Sequence, residues 1–254
     1  MRLSLIIILL SFASQLLHSQ EEAVNQLDAN GKKTGLWRKH YENGNIMYEG
    51  YFLHDNPVGL MKRYFPEGGL SAELVFSDNG SSSFATMYYN NGKKAAEGKF
   101  DHQRKDSIWN YYSFYNDRLA ISEEWNKGQK HGITKKFFDD GSVAEITEWK
   151  NDLQDGAWEQ YYENGMMRLK SGYNNGKQNG SFNSYTADGK PFISGFYKHG
   201  EMDGTWTYHS SEGNPEVQVE YQDGKMLPNP ALEKRQEDFS KQIKKIIGIF
   251  PEPF

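Results

Sequence analysis

Beyond the first 19 residues the chain holds His40, His54, His102, His131, His199 and His209. Two histidines flanking a glutamate at helical spacing would hold zinc, but none of these stands in such a set. His54, His131 and His199 fall in equivalent turns, as solvated turn residues or as a metal stripe along one edge. Carboxylates are frequent, either in turns (Glu42, Asp140, Glu163, Asp188, Glu212) or at one repeat phase (Glu49, Glu97). Paired carboxylates ~5–9 Å apart can do acid–base work on sugars, yet a repetitive ladder meets that distance without any selection for it. No Gly-x-Ser-x-Gly elbow, phosphate loop or dinucleotide fingerprint occurs. With no Cys, thiolate and disulfide chemistry are excluded. The reading is a non-enzymatic protein with no catalytic residue, cofactor or metal.

The residues with the best claim to a function are aromatic: Trp37, Tyr41, Trp109, Trp158, Tyr162 and Trp206. They are either the thin core of the structure or a binding face for a peptide strand or a sugar ring, since Tyr and Trp pair a large apolar body with a polar edge. Solvent exposure separates the two.

Position in a repeat is what relates them. Gly35, Gly59, Ser83, Ser107, Gly132, Gly156, Gly180 and Gly204 are 24 residues apart, with one spacing of 25. Two residues after each anchor come Trp37, Met61, Ala85, Trp109, Thr134, Trp158, Phe182 and Trp206. A turn glycine follows nine residues after most anchors, and a further aromatic recurs as Tyr51, Phe76, Phe100, Trp125, Trp149, Tyr173, Tyr197 and Tyr221. A fixed period over eight copies marks a repeat array. Each unit reads as a β-hairpin: alternating strands such as "WEQYY", and turns "ENG", "DDG", "ADG" and "SEG" in which Gly accepts positive φ. Gly50, Gly98, Gly172 and Gly195 lie inside strands, marking bulges or close approaches. The predicted fold is all-β: an elongated single-layer antiparallel sheet of hairpins of 24 residues. One hairpin is marginal in water, so each copy needs its neighbours.

Residues 49–68, 171–189 and 194–213, "EGYFLHDNPVGLMKRYFPEG", "SGYNNGKQNGSFNSYTADG" and "SGFYKHGEMDGTWTYHSSEG", resemble MORN repeats. The spacing and the Gly-x-Trp-x-x-Tyr-Tyr phrase resemble the bacterial MORN variant, whose members are often described as antitoxin components. The resemblance implies a single-layer sheet with an aromatic groove and contacts to protein or lipid. It spans about residues 30–225. Ser83 and Ser107 depart from the anchor Gly, and the polar stretch "FSDNGSSSFATM" predicts a distorted or weakly paired hairpin.

The ends differ from the array. Residues 1–19 read as a secretory signal peptide with Arg2, an apolar run and a small Ser19; an uncleaved anchor is the alternative, although the run is short for a membrane span. Residues 20–29 are a short leader. Residues 226–254 predict an amphipathic helix with Leu232, Phe239, Ile243, Ile246, Ile247 and Phe250 on one stripe, capping the last hairpins or docking a partner. The expected location is exported: periplasm, cell envelope or outside the cell. At a net charge of −5 the chain lacks the basic stripe that nucleic acid calls for. The expected function is an exported protein-interaction scaffold with an aromatic sheet face. The alternatives are a glycan- or envelope-binding module and an antitoxin- or immunity-like protein that masks a toxin. No membrane span is expected once the leader is removed.

Overall fold

The computed structural model describes residues 23–228. The expected signal peptide, and all of the expected C-terminal helix beyond Pro228, lie outside the described residues. What is described is all-β: one open antiparallel sheet of 19 strands, with a single short 3-10 turn at Asp78–Gly80. Strands follow one another across the sheet in chain order, from Lys33–His40 to Pro215–Gln222. Among the described residues substantial contacts run only between such neighbours, so none of these strands forms a second layer on either face. At ~4.8 Å per strand the sixteen full strands make a ribbon on the order of 75 Å long. Part of the leader joins the sheet: Gln26–Leu27 pairs with Thr34 and Lys33.

Two bulges recur in the hairpins. One follows the first strand, where Lys39↔Tyr48 is succeeded by His40↔Ile46, and Arg63↔Ala72 by Tyr64↔Leu70. The other lies at the anchor: Gly50↔Met61 is followed by Tyr51↔Val58, leaving Gly59 and Leu60 without partners on that side. The first of these two needs left-handed backbone, which costs a residue with a Cβ roughly 1–2 kcal/mol. Gly35, Gly59, Gly132, Gly156, Gly180 and Gly204 supply it, with φ between 63° and 114°.

The two serine anchors solve this in opposite ways. Ser107 takes φ 60° and keeps the bulge, with Gly98↔Trp109 followed by Lys99↔Asp106. Ser83 is not in the left-handed region, and its strand pairs without a shift from Ala72↔Met87 to Ser77↔Ser82. The loose hairpin expected here is therefore corrected: Leu70–Ser77 and Ser82–Tyr88 are the most regular neighbours in the array. Small polar side chains do not weaken a ladder made by the backbone, and at Ser83 the strand runs on without the bulge that Ser107 retains. Ser107→Gly should raise stability by about 1 kcal/mol, whereas Ser83→Gly should lower it by about 0.5–1 kcal/mol. Urea midpoints of the two variants check this, and shifts of the same sign would refute it.

The register also corrects the first member of the second aromatic set. Phe52, not Tyr51, stands on the face of the tryptophans, against Trp37 at 6.3 Å between ring centroids. Tyr51 lies on the opposite face, 43% exposed.

Candidate functional site on the aromatic face

Cross-strand pairing strings one residue per strand into a row across the sheet. From Trp37 it runs through Gly50, Met61, Leu74, Ala85, Gly98, Trp109, Glu123, Thr134, Thr147 and Trp158 to Ser171. It continues with Phe182 beside Gly195, and Trp206 beside Val219. Large and small alternate at both ends. The indole of Trp109 lies flat on Gly98, and its Nε1 donates to the Lys99 carbonyl at 2.9 Å. Trp206 repeats this on Gly195, donating to the Phe196 carbonyl at 3.2 Å. The interior glycines at these two places mark close approach. Phe100 and Tyr197 meet the two indoles edge-on at 4.7 and 5.0 Å.

Two small cores result, one of Ala85, Ala96 and Trp109, the other of Leu169, Phe182, Ile193 and Trp206. Trp109 is 1% exposed and Trp206 3%. Their ring surface is consumed by packing, so these two are core.

The other four expected residues divide. Trp37 is half-buried at the first edge, its Nε1 donating to the Gln26 and Thr34 carbonyls. Trp158 is half-buried in the row, edge-on to Tyr173 at 5.7 Å. Tyr41 and Tyr162 are off the row: their hydroxyls donate to the Tyr64 and Tyr185 carbonyls at 2.8 Å, bracing one turn on the next repeat. Tyr89 does the same to Tyr112. The six residues thus form no single site.

Between the two cores the row turns polar. Glu123, Thr134, Thr147 and Ser171 are 9%, 5%, 3% and 7% exposed. Beside them stand the half-buried indoles of Trp125 and Trp149, on the same face two residues beyond Glu123 and Thr147. The Lys130 ammonium sits 4.9 Å from the Trp149 ring and 2.7 Å from the Glu123 carboxylate. The Lys105 ammonium sits 4.7 Å from the Trp125 ring and donates to the Tyr111 hydroxyl at 2.6 Å. Burial lowers the pKa of Lys105, with the Glu123 charge opposing that shift. Glu123 also accepts from Trp125 Nε1 at 3.2 Å.

Among the described residues three buried polar atoms have no partner: Thr134 Oγ1, Trp149 Nε1 and Ser171 Oγ. Leaving such an atom unpaired costs about 1–3 kcal/mol. All three belong to this polar stretch or its rim. Two lysines against one glutamate leave a positive balance there. At the surface the arrangement offers half-buried indoles and ammonium charge to an acceptor-rich group, with the three unpaired atoms just beneath. Trp125 and Trp149 are visible in the sequence as repeated aromatics and Thr134 as the occupant of a tryptophan position, but Glu123 and Ser171 carry no such mark. Only the cross-strand row puts them in a core position.

The groups considered for acid–base or metal chemistry are placed otherwise. Glu49, Glu73 and Glu97 accept from the tyrosine hydroxyls of Tyr64, Tyr88 and Tyr112 on the opposite face. His54 pairs with Asp28 at 2.6 Å and His102 with Asp101 at 3.0 Å. Among the described residues no three His, Cys, Asp or Glu side chains stand close enough to hold a metal ion.

The MORN repeat variant family matches at residues 33–54, 130–151 and 154–175, and the last two stretches carry most of the polar part of the row. No curated protein matches the chain. Similar solved structures include TarM, at 14% identity over 37% of this chain and 20% of that one, TM-score 0.28. A second is a mutant of S. aureus TarM in complex with Fondaparinux, alpha-GlcNAc-glycerol and UDP, at 10% identity over 48% and 21%, TM-score 0.30. A third is TcdB2-TccC3-Cdc42, at 12% identity over 72% and 13%, TM-score 0.20. The chain spans about a fifth or less of the length of each of these structures.

Proposed function

We propose that this MORN repeat protein is an exported, non-enzymatic scaffold that holds a protein partner on its aromatic face, centred on Trp125, Thr134, Trp149 and Ser171. Three unpartnered polar atoms beside half-exposed indoles carry the reading. An extended segment of a partner supplies backbone carbonyls for the Trp149 N–H and the two hydroxyls, which are covered in the free protein and are reached as the half-buried Trp125 and Trp149 rings tilt aside. Lys105 and Lys130 favour an acidic side chain in that segment. Half-buried Trp37 and Trp158 extend the contact along the row, so modest contributions from several repeats add up. Export rests on the leader at residues 1–19. A glycan is the second reading, favoured by the same N–H and hydroxyl groups beside aromatic rings. Against it, lysine ammonium groups already lie over the Trp125 and Trp149 rings, where a sugar would stack.

Thr134→Val tests the site. Removing an unpartnered buried hydroxyl while keeping the shape should raise the stability of the free protein by about 1 kcal/mol. The same change should weaken partner capture from a cell-envelope extract by about tenfold, the equivalent of one lost hydrogen bond. Capture by the chain from residue 20 onward is compared with capture by Thr134→Val and Trp149→Phe forms. One dominant protein lost from both variants supports a protein partner. Recovery of polysaccharide instead moves the glycan reading ahead. A fall in stability on Thr134→Val means that the hydroxyl serves the fold, and removes the basis of both.

A further inference from the structure

We propose that the opposite face of the sheet, over repeats one to four, binds a second copy of this chain about a twofold axis parallel to the strands. This face carries an exposed apolar row. Tyr51, Leu60, Val75 and Phe84 are 43%, 44%, 54% and 50% exposed. Leu60 pairs with Val75 and Val75 with Phe84, so these three are direct neighbours. Tyr51 sits on the next strand toward the first edge. The aromatic face, where the proposed partner binds, is not involved.

Beside the apolar row on the same face runs a charged one: Arg38, Glu49, Lys62, Glu73, Thr86 and Glu97, each paired with the next. Its order of signs makes the face complementary to itself. An axis lying between strands Asn56–Tyr64 and Leu70–Ser77 sets each strand against its mirror position in the second copy. Lys62 then meets Glu73 of the other copy, and Arg38 meets Glu97. In the apolar row Leu60 meets Val75, and Tyr51 meets Phe84. Glu49 meets the neutral Thr86. No position meets its own charge, and apolar meets apolar at the centre with charges at the side, the usual anatomy of an interface.

The backbone suits this packing. The axis falls next to the one stretch where the anchor bulge is missing, so the ladder from Leu70–Ser77 to Ser82–Tyr88 is unbroken. A regular ladder presents a smooth surface for sheet-on-sheet packing at ~10 Å. Six strands of this length present roughly 700 Å² per copy, near the lower limit for a stable specific interface. Interfaces at this end of the size range are held weakly and reversibly, so association is expected to depend on concentration.

Sedimentation of the full chain across concentrations spanning about 1 to 100 μM tests this. A monomer–dimer equilibrium is expected. Val75→Glu should weaken it at least about tenfold while leaving the melting temperature of the dilute, monomeric chain unchanged, since that side chain is exposed. Lys62→Glu should weaken it too, and Lys62→Glu combined with Glu73→Lys should restore it, because the axis pairs these two positions. A monomer at every concentration would overturn the proposal. So would a dimer indifferent to Val75→Glu, or a chain that dimerises only after residues 1–22 or 229–254 are removed, since that segment would then be what covers the face.

Discussion

Gly195→Ala is expected to lower folding stability by about 3 kcal/mol, more than most single methyl additions. A Cβ at this position would stand within 2.7 Å of three atoms of the Trp206 indole. The ring has nowhere to go. Its Nε1 is tied to the Phe196 carbonyl, Tyr197 and Phe182 press on it at 5.0 and 5.4 Å, and Val219 closes the other side with no exposed surface. Either the indole tilts and loses these contacts or the two strands separate. Gly98→Ala should behave alike, since its Cβ would stand within 2.6 Å of three atoms of Trp109. The clash identifies itself by non-additivity: in a Trp206→Leu background the Gly195→Ala cost should shrink, because the atoms it meets are gone. Urea unfolding of the four proteins in the cycle measures this. Full additivity would mean that the glycine is needed for its backbone freedom and not for the space above it.

Alkali should unfold the protein by an effect of similar size, distributed over many residues. Burial, reinforced by the Glu49 carboxylate, pushes the Tyr64 hydroxyl up to about 12. Burial and Glu97 do the same to Tyr112, up to about 12. Tyr88, Tyr111, Tyr173, Tyr197 and Tyr208 are raised mainly by burial, and Tyr161 mainly by its bond to Glu159. All shifts have one sign. A raised folded pKa means that the folded protein keeps a proton the unfolded chain has released. The stability so contributed is complete below about pH 10 and is lost as pH climbs through the folded values.

Tyr64 and Tyr112 are screened by solvent, so each contributes about 1 kcal/mol and not the full linkage value. Summed over the set, the melting temperature should hold near neutral pH and drop by on the order of 10 °C between about pH 9 and 12. Tyrosinate absorbance should rise late, together with the loss of structure. A melting temperature flat to about pH 12, with tyrosines titrating near 10, would remove the claim. Acid acts through the partners. Tyr64 and Arg38 hold Glu49 low, Lys94 and Tyr112 hold Glu97 low, and Lys170 and Tyr161 hold Glu159 low. These contribute above their unfolded pKa, and the contribution is lost as pH falls below it.

The array was readable from spacing because a period of 24 leaves little freedom in where turns and strands fall. The period does not by itself fix which face each residue takes. Tyr51 and Phe52 are both aromatic neighbours, and choosing the wrong one reverses the face. The same limit applied to the tryptophans. Trp109 and Trp158 look alike along the chain, yet Trp109 lies on Gly98 and Trp158 stands beside Thr147, so one disappears into the core and the other keeps an open edge. What decides is the residue on the preceding strand. The polar stretch escaped notice for the same reason: a glutamate or serine shows its burial only once the row that contains it is assembled. The serine-rich hairpin looks weak in the sequence because its side chains are polar, whereas backbone groups form the ladder.

Because the strands lie in chain order, the two ends of the described chain leave from opposite edges of the sheet. A pull on those ends runs across the strands, so the load falls on one strand's hydrogen bonds at a time. Such a ribbon opens like a zip. Each 24-residue unit would release about 80 Å of slack as it peels away. Under tension the protein should therefore lengthen in even steps at low force, hairpin after hairpin, while the remainder of the sheet stays intact.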